Sequence, residues 1–211
     1  MSLSKLTIVI PTFYPGKIIK KCLASLPLTS EIIIIDNGED LELEKIIKLQ
    51  KHKIKHYKVG DVGLSKSFNI ALAKSKNENI LITQPDVCFE KNSIINLVKA
   101  QKKYTKAGII SPLLFEKNKY SQYDYLDLSL SKLGTLENKR RPKKVSMFPS
   151  GDICVEAVNA TAMLIKKSII KKINGWDENI YTYHEDIDLC LRLRKKGYSI
   201  MKIKRSIAHH V

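Results

Sequence analysis

The sequence predicts an α/β fold in which a mostly parallel central sheet is flanked by helices. Three observations carry this. Short runs of β-branched residues recur, and they stop at proline, aspartate or glycine. Stretches with apolar residues at helical spacing lie between them. Polar residues end the strand-like runs, and right-handed crossovers gather such ends on one edge, where ligands bind in these folds.

Each element can be justified in order. Residues 6–10 form an apolar run closed by Pro11, a buried strand with a hard stop. Ile18, Ile19, Cys22, Leu23 and Leu26 then repeat at helical spacing. Residues 32–35 are continuously β-branched, as in a strand covered on both faces, and Asp36-Asn37-Gly38 ends it as a loop. Residues 41–50 read as a helix, and the charged alternation over 53–59 suits an outer strand. After a loop at 60–63, Leu64, Phe68, Ala71 and Leu72 form a helical stripe. Residues 80–82 are a buried strand ending in Thr83-Gln84-Pro85-Asp86. A helix capped at Asn92 or Ser93 runs to Tyr104, and 108–110 is a short strand before Pro112.

Residues 113–150 are rich in Lys, Tyr, Asp and Ser and read as loop with a short hairpin over the site. An irregular stretch of that length is more often functional than not. Residues 153–165 resume strand character, 166–173 form a short helix, and 175–183 a loop. A helix over 185–196 ends at Gly197 as its C-cap, and 198–203 is the last strand.

The 211 residues suit one domain with a core large enough to need no disulfide or metal staple. Cys22, Cys88, Cys154 and Cys190 form no CxxC pair and read as buried reduced thiols. No secretory leader and no membrane-length apolar run is read, so a cytoplasmic protein is expected. The net charge of +16, from 37 Lys+Arg against 21 Asp+Glu, favours anionic partners. The lysines are dispersed, with no aromatic platform and no recognition motif, which argues against nucleic acid. Phosphorylated substrates or an anionic membrane surface remain. The sequence has no GxGxxG after the first strand, no GxxxxGK[ST] and no GxSxG. That weakens dehydrogenase, P-loop and serine hydrolase readings.

Some residues are placed to carry chemistry. On a wheel of ~100° per residue, Asp186 falls at about 260° from Ile187, inside the apolar arc, whereas Glu185 falls at about 160°, on the charged side. Desolvation at the Asp186 position raises the proton affinity of a carboxylate, as suits a general base. The same positions also fit carboxylates that complement a helix N-terminus. Asp86 follows a buried strand and a proline; a carboxylate there suits a divalent cation shared with a diphosphate, and equally an ordinary turn. His209-His210 offers imidazole ligands or a frayed tail.

The ordered set of segments resembles glycosyltransferase family 2. The pieces are Thr7-Ile-Val-Ile-Pro-Thr-Phe-Tyr14, Glu31-Ile-Ile-Ile-Ile-Asp-Asn-Gly38, Gly63-Leu-Ser-Lys-Ser-Phe-Asn69 and Ile80-Leu-Ile-Thr-Gln-Pro-Asp-Val87. Val158-Asn-Ala-Thr-Ala-Met-Leu-Ile165, Gly175-Trp-Asp-Glu178 and His184-Glu-Asp-Ile-Asp-Leu-Cys-Leu-Arg192 complete it. The resemblance spans nearly the whole chain.

It implies the Rossmann-like GT-A fold, with a nucleotide-sugar half over 1–111 and an acceptor-binding, catalytic half over 112–211. It implies an inverting transfer of a sugar from a nucleoside-diphosphate donor to a glycan or lipid-linked hydroxyl, helped by Mg²⁺ or Mn²⁺. Pro11, Thr12, Tyr14, Asp36, Asp61, Lys66 and Asp86 would meet the nucleotide sugar. Asp186 would be the base with Glu185 beside it, and Trp176 and Asp177 would face the acceptor. Asp86, with His209 as a weaker second ligand, would hold the metal.

Gln84-Pro85-Asp86 replaces the family's DxD, leaving one carboxylate. It is similar to the Asn-Pro-Asp of a rhamnosyltransferase-like branch that uses dTDP-L-rhamnose. The resemblance also implies a further C-terminal segment in that branch and a peripheral station at the inner face of the membrane. A catalytically silent sugar-nucleotide-binding relative is the alternative that the missing DxD keeps open.

Overall fold

The computed structural model describes residues 3–116, 128–130, 136–138 and 150–211. The β-branched runs become the centre of the sheet. β1 (Leu6–Thr12), β2 (Glu31–Asp36), β3 (Lys53–Lys58) and β4 (Asn79–Thr83) are mutually parallel. α1 (Ile19–Ser25), α2 (Leu41–Lys48) and α3 (Gly63–Lys74) connect them. Every residue of β1 and β4 is buried, whereas β3 is half-exposed at the edge, as its charges predict.

β2 shows why a run of four isoleucines works. Ile32 and Ile34 enter the core on one face of the sheet, and Ile33 and Ile35 enter the core on the other. Period-two alternation gives both faces a helix layer to bury against. α2 is closed by its sequence: Asp40 accepts from the Glu42 N–H at 2.8 Å as N-cap, and Lys45 and Lys48 occupy the last turn. Such a cap contributes about 1 kcal/mol.

The chain continues with β5 (Val87–Phe89), α4 (Ser93–Lys103), β6 (Ala107–Glu116), β7 (Leu128–Leu130), β8 (Leu136–Asn138) and β9 (Ile153–Val155). β10 (Ala162–Lys166), α5 (Lys167–Lys172), α6 (Glu185–Lys195) and β11 (Ser199–His210) follow. The sheet order is β3-β2-β1-β4-β10-β6-β11-β5, with β9 on β11. β10 runs antiparallel between β4 and β6, while β11 runs parallel to β6. The C-terminal ends of β1, β2 and β4 and the start of β10 therefore share one edge.

Four sequence expectations change. The strand expected to stop before Pro112 continues to Glu116, because Pro112 pairs with Ile203 where the ladder shifts register and a missing N–H is tolerated. β11 runs past Ile203 to His210, held between β6 and β5. The expected strand over 153–165 is two strands, β9 and β10, with a turn between. Cys154 is exposed and Cys88 half-buried; only Cys22 and Cys190 are the buried thiols expected of all four. β7 and β8 form the short hairpin expected in 113–150, and the rest of that stretch beyond β6 lies outside the described residues until Ser150.

Candidate active site

The edge where the strands end opens into a cavity of about 950 Å³. Pro11 and Thr12 from β1, Asp61 ahead of α3 and Asp86 after β4 line it. Asn159, Ala160 and Thr161 ahead of β10, the residues 181–187 and His210 line it as well.

Asp86 reaches the cavity because Pro85 turns the chain out of β4. Its Oδ2 lies 3.1 Å from His210 Nε2, and its backbone carbonyl accepts from the Val211 N–H at 2.8 Å. Its Oδ1 is buried and has no hydrogen-bond partner among the described residues. An orphaned carboxylate oxygen beside an imidazole is a donor set that a divalent cation fits. No cluster of three or more His, Cys, Asp or Glu gathers among the described residues, so a cation there needs oxygens from a ligand.

His209 is not brought to the cavity. Strand alternation turns it to the other face, where its Nε2 lies 2.8 Å from Glu90 Oε1 and its ring lies 5.5 Å from Phe115. The imidazole beside Asp86 is that of His210.

Asp186 and Glu185 open α6. The chain enters this helix through two successive left-handed residues, Tyr183 (φ 62°) and His184 (φ 69°). Bulky side chains seldom adopt that conformation, and such strain collects at functional sites. Asp186 Oδ2 accepts from the Ala160 N–H at 3.0 Å, and Oδ1 from the Ile187 N–H at 2.8 Å. Burial raises its pKa above the ordinary value, with those N–H groups opposing the rise. Glu185 is only 4% exposed, and its Oε2 has no partner among the described residues. Burial, then the Asp186 charge, pushes its pKa up to about 7. The helical wheel put Glu185 on the charged side; the structure buries it more deeply than Asp186. Glu185, Asp186 and Ile187 of the first turn of α6 are part of the cavity wall.

The remaining expected residues divide. Asp61 lines the cavity and accepts from the Tyr181 hydroxyl. Asp36 does not line it. Its fully buried carboxylate accepts from the Gly38 N–H at 3.2 Å and the Asp40 N–H at 3.0 Å, with His56 Nε2 at 3.0 Å. Asp36 thus fixes the loop after β2 and leaves the cavity to its neighbour Asn37. Tyr14 (φ 46°) and Lys66 are exposed and outside the lining. Trp176 is buried against Phe68, ring centroids 5.1 Å apart, and Asp177 accepts from the Asn179 N–H at 3.0 Å; neither lines the cavity.

Sequence reasoning missed Asn37, Tyr181 and Tyr183 as lining residues and did not separate His210 from His209. Asn37 had a signal in its Asn-Gly turn. Here its Oδ1 accepts from Ser67 Oγ at 3.0 Å and its Nδ2 donates to the Thr12 carbonyl at 3.2 Å, joining β1 to α3.

Several known proteins are similar to this chain. A rhamnosyltransferase of Escherichia coli, WbbL, is 29% identical over 215 residues, covering 91% of this chain and 78% of the relative. The N-acetylglucosaminyl-diphospho-decaprenol L-rhamnosyltransferase of Mycobacterium tuberculosis is 22% identical, covering 97% and 76%. Among solved structures, GalNAc-T7 with UDP, GalNAc and Mn²⁺ superposes with a TM-score of 0.78 at 15% identity, covering 98% of this chain and 43% of that one. The mannosyltransferase PcManGT of Pyrobaculum calidifontis, in complex with GDP-Man and Mn²⁺, gives 0.70 at 11% identity, covering 97% and 56%. The chain spans less than two thirds of either solved chain, and at these identities the likeness is one of fold, the GT-A fold. The sequence model described as Glycosyl transferase family 2 matches residues 7–169, from β1 into α5. The chain belongs to glycosyl transferase family 2 and is a nucleotide-sugar glycosyltransferase.

Proposed function

We propose that the enzyme inverts configuration at the transferred sugar, takes dTDP-L-rhamnose as donor, and delivers it to a hydroxyl of a glycan or lipid-linked acceptor. One observation carries the reading: Asp86 and Asp186 arrive from opposite halves of the chain in one cavity, each with a partly desolvated carboxylate. The rhamnosyltransferase names of the relatives support the donor.

In this reading Asp186 takes the proton from the acceptor hydroxyl, its affinity for that proton raised by burial. The freed oxygen attacks the anomeric carbon opposite the nucleoside diphosphate, which departs with the bonding pair. Glu185 stands beside the base as its electrostatic partner. Asp86 and His210 are the side chains that would hold Mg²⁺ or Mn²⁺, which when bound neutralises charge on the leaving diphosphate.

Pro11, Thr12 and Asp61 wall the nucleotide, and Asp36 shapes that wall through Asn37. Tyr14 follows the lining residue Phe13, and Lys66 lies one turn beyond Gly63; both meet the outer part of the donor. Asp177 is assigned to the acceptor side, and Trp176 to anchoring the loop that carries it. Residues 1–111 then form the donor half and 112–211 the acceptor half of one domain. No helix among the described residues is long and apolar enough to cross a membrane. The net charge of +16 suits phosphorylated ligands and a peripheral station on an anionic surface.

A thermal-shift series with UDP, dTDP, GDP and ADP, each with and without Mn²⁺, tests the site. A ligand at about 100 times its Kd stabilises by roughly 2.7 kcal/mol. Selective, Mn²⁺-dependent stabilisation by dTDP is expected; His210→Ala should remove the Mn²⁺ dependence and His209→Ala should keep it. Selective stabilisation by another nucleotide overturns the donor, and no shift with any of them overturns the site.

A further inference from the structure

The loop from Gly175 to His184 carries the chain into α6, and its start is tied to α3 by one side chain. Asn69 Oδ1 accepts from the Trp176 N–H at 2.9 Å, and Asn69 Nδ2 donates to the Trp176 carbonyl at 2.9 Å. The amide thus pairs with both backbone groups of one residue, as a neighbouring strand would. Nδ2 also donates to Glu178 Oε1 at 2.9 Å. Gly175 (φ +73°) makes room: a Cβ there would stand 2.5 Å from Asn69 Oδ1.

The other end of the brace belongs to α6 itself. Arg192 Nη1 donates to the Ile173 carbonyl at 2.8 Å and the Gly175 carbonyl at 2.7 Å, while its Nε donates to Asp188 at 2.8 Å. Arg192 and Asn69 therefore hold the C=O and the N–H of one peptide unit, the one joining Gly175 to Trp176. α3, at whose head Asp61 and Gly63 line the cavity, is joined through this point to the helix that bears Asp186.

We infer that Asn69 is a positioning residue for transfer: through the backbone of Gly175 and Trp176 and through Arg192, it sets the place of Asp186 against the donor-binding side. This rests on the reading of Asp186 as the base. Asn69 touches no reacting atom, so its contribution is geometric, and a displacement of about 1 Å at a reacting group costs on the order of 10²-fold in rate. Its loss should act on turnover and not on donor binding, because the lining residues before α3 stay in place.

A double-mutant cycle with donor kinetics tests this. Asn69→Ala should lower kcat by about tenfold or more with donor KM within about twofold, and Arg192→Lys, which loses the two-carbonyl fork, should follow in the same sense. In an Asp186→Asn background, Asn69→Ala should cost less than about twofold further, since a misplaced base that is already absent costs nothing. Losses that multiply, or a donor KM that rises in step with falling kcat, overturn the inference and make Asn69 a fold residue only. Full activity of Asp186→Asn alone overturns the base assignment instead. Should Asn69→Ala fail to fold, Arg192→Lys in the same two backgrounds decides.

Discussion

Glu185 and Asp186 are adjacent carboxylates that the protein treats differently. Asp186 receives two backbone N–H groups, whereas Glu185 keeps an oxygen with no partner among the described residues. The pKa of Glu185 therefore rises from its ordinary 4.5 to about 7. A raised acid pKa favours folding while the group is neutral. The stability is fully present below about pH 4.5 and is lost as pH rises through 7. Glu185→Gln removes that loss. The variant should match the parent in thermal melts near pH 4.5 and exceed it at pH 8 by several degrees, ~1 kcal/mol being worth about 2–4 °C in a chain of this size. Equal melting temperatures at pH 8 would show that Glu185 ionises without cost.

At the scale of elements, the contact between α3 and the loop before α6 is set by how closely two backbones approach. A Cβ on Gly63 (φ +78°) would stand 2.4 Å from the Tyr181 carbonyl, which accepts from the Leu64 N–H at 2.8 Å. Gly197 has nearly the same φ, +83°, with nothing within 4 Å of such a Cβ. Gly197→Ala should cost only the left-handed strain, roughly 1–2 kcal/mol in urea denaturation. Gly63→Ala should cost clearly more and reduce transfer, because the loop must also move. Equal costs would mean that the loop yields freely. The strands β1, β2 and β4 were legible because buried parallel strands need unbroken apolar runs. β5 was not, since three residues carry no period. Which imidazole of His209-His210 lies beside Asp86 is not legible, because alternation assigns a face only after the register with β5 and β6 is known. Glu185 was misplaced because a helical wheel describes one helix and not the wall it stands in.

Over the whole molecule, the sheet gathers residues that are far apart in sequence. Asp86 leaves β4 and Asp186 begins α6, yet both face one cavity because β10 runs back between β4 and β6. The fold was readable from alternation of runs and stripes, and the partial burial of Asp186 from its place in the apolar arc. The wall formed by Asn37, Tyr181 and His210 was not, because it depends on loops and register. If Asp186 is the base of the transfer, sugar transfer and donor affinity must respond differently when Asp186→Asn is compared with the parent. The variant should lose about 10²–10⁴-fold in transfer rate while binding the donor nucleotide with nearly unchanged Kd. Transfer at the parental rate would show that Asp186 is not the base.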